Sequence, residues 1–192
     1  MKKLASAILL VVGVFAATPA RAEVHGRFLF DAAPGVSIPL ADRTYRGEFS
    51  ASFKLSLRMG GEFWFGAARK VGIAGEVATD FEPLTYSGVD DTHFGRIRAL
   101  VGLRFLIAFK IGAIWLRAAT GLDYIIGSQP GNAYLQSYAY TVEPGFGIQF
   151  RITRRGVIGF SAGFPVAFPS FDQRPTFTSI DADLLVFIGA RI

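Results

Sequence analysis

The chain of 192 residues is 51% hydrophobic, carries 19 Phe and 22 Gly, and has no cysteine, which excludes disulfides, thiolate metal ligands and cysteine nucleophiles. Its formal charge is +5, but Lys2, Lys3 and Arg21 lie in the first 22 residues. The remainder holds 17 bases against 15 acids, too even a balance to favour a nucleic-acid partner.

Residues 1–22 read as a secretory signal: Lys2 and Lys3, an apolar run from Leu4 to Ala17, then small residues ending "ATPARA", with cleavage after Ala22. An apolar core of about 14 residues is short for a membrane span, which needs about 20. Residues 23–192 read as one domain, because no Ser/Gly-rich or Pro-rich stretch divides them.

Within that domain, period-two alternation predicts eight strands, at 27–40, 49–65, 71–84, 94–108, 113–126, 137–152, 157–170 and 179–192. Their connections differ by turns. "GAARK" (66–70), "FKIG" (109–112) and "TRRG" (153–156) are tight, while 41–48, 85–93, 127–136 and 171–178 are longer. Short and long connections in alternation predict an up-and-down meander with two unlike ends.

The charges fall on one parity in every charged segment. The acids are Asp31, Glu62, Glu76, Asp80, Glu82, Asp123, Glu143, Asp181 and Asp183; the bases are Arg27, Lys54, Arg58, Arg96, Arg98, Arg104, Arg117, Arg151 and Arg191. "FKLSLRMG" (53–60) shows the pattern, with Phe53, Leu55, Leu57 and Met59 set against Lys54, Ser56 and Arg58. The charged parity also holds Gly60, Gly72, Gly102, Gly121, Gly145, Gly147, Gly159, Gly163 and Gly189, with Gly95 beside it in the fourth segment, whereas the opposite parity carries no charge.

A soluble barrel or sandwich would turn the oily face to its core, and a membrane barrel would turn it to lipid. Three features choose the second. Glycine beside large charged groups suits a narrow lumen. Aromatics of the oily parity gather near the tight turns (Phe63, Phe65, Phe105, Phe150, Phe160) and near the longer connections (Phe49, Phe53, Phe81, Tyr124, Tyr138, Tyr140, Phe168), as two bilayer interfaces select. Segments of about 14 to 17 residues exceed the 5 or 6 usual in globular sheets. The expected fold is therefore all-β: an eight-stranded antiparallel up-and-down transmembrane β-barrel.

Its lumen is expected to hold a charge network of Asp31, Lys54, Arg58, Glu62, Glu76, Asp80, Glu82, Arg96, Arg98, Arg104, Arg117, Asp123, Glu143, Asp181, Asp183 and Arg191. With Arg27 and Arg151 added, nine bases face nine acids, which predicts a neutral polar plug that fixes register and blocks conduction.

In this architecture, and in the last strand "DADLLVFIGARI", the chain resembles the small bacterial outer-membrane barrels of the OmpX and OmpA-membrane-domain type. The resemblance implies residence in the outer membrane, periplasmic tight turns and termini, four outward loops, insertion by the barrel-assembly machinery, and contact with membrane lipids and lipopolysaccharide. A monomer is expected. Such families usually end on an aromatic residue, and this chain ends on Ile192.

No catalytic residue, cofactor or metal site is expected. His93 lies near Ser87, Asp90 and Asp91, but no His-x-Ser pairing sits on a strand, as in barrel enzymes that modify lipid A; His25 lies beside the cleavage site. Asp90 and Asp91 lack the further oxygen ligands of a defined cation loop. A non-enzymatic structural or surface-interaction role leads, through loop groups Arg43, Tyr45, Arg46, Tyr86, Asp90, Asp91, Tyr134, Arg174 and Phe177. The alternatives are a narrow transport pore, a lipid A-modifying enzyme, and a soluble lipocalin-like binder.

Overall fold

A computed structural model describes residues 24–42, 50–66, 68–84, 93–129, 132–169 and 179–192. The expected signal peptide (1–22) lies outside them. The described residues form strands and turns, with no helix. The strands are β1 (Val24–Asp42), β2 (Ser52–Phe65), β3 (Val71–Leu84), β4 (His93–Phe109), β5 (Gly112–Gln129), β6 (Asn132–Arg151), β7 (Gly156–Gly163), β8 (Val166–Pro169) and β9 (Ser179–Arg191).

β1 to β7 pair antiparallel in sequence order, β7 and β8 both pair with β9, and β1 pairs with β9, so the sheet closes on itself. β7 and β8 are halves of one stave: both pair with β6 and both with β9, and the register continues from Gly145↔Gly163 to Val142↔Val166. The single expected strand 157–170 is thus interrupted at Phe164 and Pro165, because proline has no N–H to give the ladder. Counted by staves, the barrel has eight.

One expected loop is instead sheet. Gly, Ser, Gln, Pro and Asn break the alternation over residues 127–136, which predicts a connection. The β5–β6 ladder nevertheless continues through Gly127↔Leu135 to Gln129↔Asn132, leaving only Pro130 and Gly131 between the strands. Alternation reports a difference between two faces. A hairpin that extends past the membrane has water on both, so its ladder persists while the signal vanishes.

Cross-strand partners point to the same face, so the registers carry the facing of one stave to the next. Arg27↔Glu62, Glu62↔Ala74, Ala74↔Arg104, Arg104↔Arg117 and Arg117↔Gly145 hand the charged parity around the cylinder, and Asp31↔Gly189 returns it to β1. All sixteen predicted network residues are buried. The opposite parity is exposed: Leu103 is 67% accessible, Leu116 65% and Val101 58%. A continuous apolar exterior of this extent is untenable in water and matches hydrocarbon.

Val101 stands on β4 midway between Phe105, near the tight turns, and Ile97, which pairs with Phe81 and Tyr124. Val101→Arg should lower stability in lipid vesicles by about 2–4 kcal/mol, against about 0–1 for Ile111→Arg at a turn tip, in urea titrations of the refolded barrel.

Candidate functional site

The interior is layered along the barrel axis, and the layer beside the tight turns is apolar. Leu106 and Trp115 flank the 109–112 turn and are cross-strand partners. With Trp64, Leu29, Val157 and Phe187 they form a buried cluster inside the cylinder. Trp115 and Phe187 lie 6.4 Å apart between ring centroids, and the Arg104 guanidinium carbon sits 4.7 Å from the Trp115 centroid, a desolvated cation–π contact worth about 2 kcal/mol. The interior is therefore not polar throughout: its tight-turn end has an aromatic floor. The two tryptophans were missed by a reading that followed charges, although both lie on the charged parity.

Lumen glycines make the room. A Cβ at Gly147 would come within 2.3 Å of the Trp115 ring, and one at Gly159 within 2.4 Å of the Phe187 ring. Gly163 and Gly189 similarly underlie Glu143 and Asp31, with Cβ contacts of 2.7 and 2.0 Å to carboxylate oxygens. Glycine thus accommodates aromatic rings as well as charges; Gly95 is the exception, because it pairs with Pro83 and Ile126 on the oily parity and so faces out of the lumen.

Above the floor, Arg104 and Arg117 face each other as cross-strand partners, an arrangement that like charges disfavour. Glu76 offsets it by binding both: it pairs with Arg104, and its Oε1 accepts from Arg117 Nε at 2.5 Å. Arg117 also pairs with Glu143, and Arg104 reaches Asp31 at 3.2 Å. Arg191 joins Asp31 (2.6 Å) to Glu62 (2.7 Å) and donates to Gln149 at 2.9 Å. Arg58 donates to Ser56 at 3.1 Å, and its Nη1 finds no acceptor among the described residues.

Nearer the longer connections, a second group spans the lumen rather than only neighbouring strands. Lys54 on β2 lies 2.6 Å from Asp80 on β3 and also pairs with Asp183 on β9. Arg98 on β4 binds Asp123 (3.1 Å), Asp181 (2.7 Å) and Asp183 (3.1 Å). Arg96 takes Asp181 at 2.7 Å, and Glu82 accepts from Ser52 at 2.5 Å. Asp80, Glu143 and Asp183 bring ligand oxygens within 4.8 Å of one another, a geometry that could hold a cation. The Lys54 ammonium already stands against two of the three.

The expected neutrality of the network needs correction. Arg151 is exposed and Arg27 half-buried, both at the tight-turn mouth, so the buried set is seven bases against nine acids. The excess lies in the upper group, where Lys54, Arg96 and Arg98 face Asp80, Glu82, Asp123, Asp181 and Asp183. Periodicity assigns a face but not a depth, and Arg27 and Arg151 share the face of the network while standing beyond its end.

His25 Nδ1 lies 3.1 Å from Arg69 Nη2 at that mouth. His93 opens β4 opposite Ser128, and its side chain lies outside the described residues. So do Arg43, Tyr45, Arg46, Tyr86, Ser87, Asp90, Asp91, Arg174, Phe177 and the side chain of Tyr134. No imidazole stands among the interior carboxylates and hydroxyls of the described residues, so no hydroxyl–imidazole pair can be drawn there.

No protein-family model matches the chain, and neither does any curated protein. Solved structures do. Neisserial surface protein A superposes with a TM-score of 0.56 at 11% identity, covering 88% of this chain and 99% of its own. The fold is that of the small outer-membrane barrels. Ail, the attachment invasion locus protein of Yersinia pestis, solved with the heparin analogue sucrose octasulfate, gives 0.56 at 13% identity over 88% of this chain and 99% of its own. A second structure of Ail gives 0.52 at 14% identity over 87% and 97%.

Two substitutions probe the interior. Lys54→Met leaves Asp80 and Asp183 without their ammonium and should cost about 3–5 kcal/mol in urea unfolding, most of it recovered by adding Asp80→Asn and Asp183→Asn. Gly147→Ala should cost about 1–3 kcal/mol by overpacking against Trp115, and Trp115→Leu in the same chain should recover part of that loss.

Proposed function

We propose that this chain is a non-enzymatic outer-membrane barrel that does not conduct, with its tight turns in the periplasm and its work done at the outward end and by the wall. The observation that carries this reading is the filled interior. Lys54, Arg98 and Arg104 are each 1% accessible inside the cylinder, and the aromatic floor lies beneath them. A water path would have to break either several ion pairs or the Trp115–Phe187 contact.

The outward partner is lipopolysaccharide or another surface component, met by a monomer through connections that hold Arg43, Arg46 and Arg174 against Asp42, Glu48, Asp90, Asp91 and Asp172. That excess of acid gives no direct attraction for a polyanion, so the sulfated-sugar binding of the kind solved with Ail is not carried over, and contact with lipopolysaccharide falls to its acyl chains against the apolar wall rather than to its phosphates. The assembly machinery would read β9 (Ser179–Arg191), whose outward face is an unbroken apolar row.

Single-channel recording in planar bilayers tests the reading. Wild type should show no steady conductance, and the paired truncation Trp115→Ala with Phe187→Ala should raise the leak. Large, steady openings of the wild-type protein would make it a pore instead.

A further inference from the structure

The tight-turn rim is uniformly basic. Arg69 and Lys70 lie on the first turn, Lys110 on the second, and Arg154 and Arg155 on the third, with Arg27 and Arg151 at the mouth between them. None of these seven makes an ion pair with a carboxylate among the described residues, and all but the half-buried Arg27 are exposed. The nearest described acids, Asp31 and Glu62, are buried against Arg191, and Glu23 lies outside the described residues. The net charge of +2 for residues 23–192 thus divides along the axis. Among the described residues this rim carries +7, the middle of the lumen is balanced and the other half carries −3; Glu23 and the connections outside them supply the remaining −2.

The rim is held on a fixed backbone. Ala108 N donates to Lys70 O (2.7 Å), Arg151 N to Ile111 O (2.8 Å) and Arg191 N to Arg155 O (2.7 Å), so each turn is tied to the strand beside it. Gly156 N donates to Thr153 Oγ1 at 2.6 Å inside the third turn. The cations are also interleaved with exposed apolar groups: Lys110 sits between Phe109 and Ile111, and Ile152 precedes Arg154 and Arg155. Water-facing turns have no use for exposed isoleucines at their tips. A bilayer interface does, because the apolar groups enter the acyl region while long cationic side chains reach the headgroups.

We infer that this rim is a belt that binds the phosphate groups of anionic phospholipids in the leaflet it meets. The inference rests on the barrel lying in a bilayer as proposed above, and it adds which lipids gather round it. A soluble phosphate would satisfy the charges alone; the apolar tips between them commit the site to a lipid. Each cation near an anionic surface favours binding by about fivefold, before screening by salt.

The test is native mass spectrometry of the detergent-solubilised barrel mixed with equimolar phosphatidylglycerol and phosphatidylcholine. Wild type should retain the glycerol lipid over the choline lipid by about tenfold or more. The variant Arg69→Asn, Lys70→Gln, Arg154→Gln, Arg155→Gln should lose that preference; asparagine at 69 respects the positive φ of 47° there. Lys110→Gln alone should lower it by a smaller factor. Equal retention of both lipids by wild type, an unchanged preference in the fourfold variant, or full competition by inorganic phosphate would each overturn the inference. Heat-dependent gel mobility reports the barrel separately: a heat-shifted band without lipid preference refutes only the belt, whereas its absence in wild type refutes the barrel as well.

Discussion

The structure depends on one constraint: in hydrocarbon, every backbone N–H and C=O must find a partner within the sheet, so the sheet has to close. Closure through the β1–β9 ladder removes the edges, and it also couples the side chains of all eight staves. Because cross-strand partners share a face, a slip of one residue in any ladder would carry a row of arginines and carboxylates into lipid and a row of leucines into the lumen. The alternation within each strand and the registers between strands are the same requirement met at two scales.

What fills the cylinder follows from its width. An eight-stave barrel leaves room for side chains and little else, so large groups must be set against small ones. Here Trp115 stands over Gly147 and Phe187 over Gly159, and the carboxylates of Glu143 and Asp31 stand over Gly163 and Gly189. Charges buried in this way gain little net stability from pairing, because desolvation opposes the attraction. Their contribution is to make other arrangements worse. Lys54 and Arg98 tie β2 and β4 to β9, and a displaced strand would strand a charge inside the wall.

The ends of the cylinder are released from this logic and are free to differ. At one, short turns bound to adjacent strands present arginine, lysine and isoleucine. At the other, a hairpin of β5 and β6 extends beyond the expected strands, and the connections that join strands there are acidic in sequence. Surface chemistry is therefore concentrated at the two rims, while the wall between them is apolar and the interior is packed.

Strand number, the facing of each strand and the identity of the buried charges were legible from residues such as Lys54, Arg98 and Asp183, because a side chain's face in a strand is fixed by its position modulo two. Depth along the axis and partners across the lumen were not, because they depend on how ladders are staggered around a closed sheet. That is why Arg27 and Arg151 were counted with a network they stand beyond, why Arg98 meets β9 as well as the adjacent β5, and why Trp64 and Trp115 went unnoticed as a floor. It is also why the polar stretch 127–136 passed for a loop. The sequence alone determined which face each side chain takes, a local property of the extended chain; only the tertiary structure decided which groups share a level, because that is set by contacts between residues as far apart as Asp31 and Arg191.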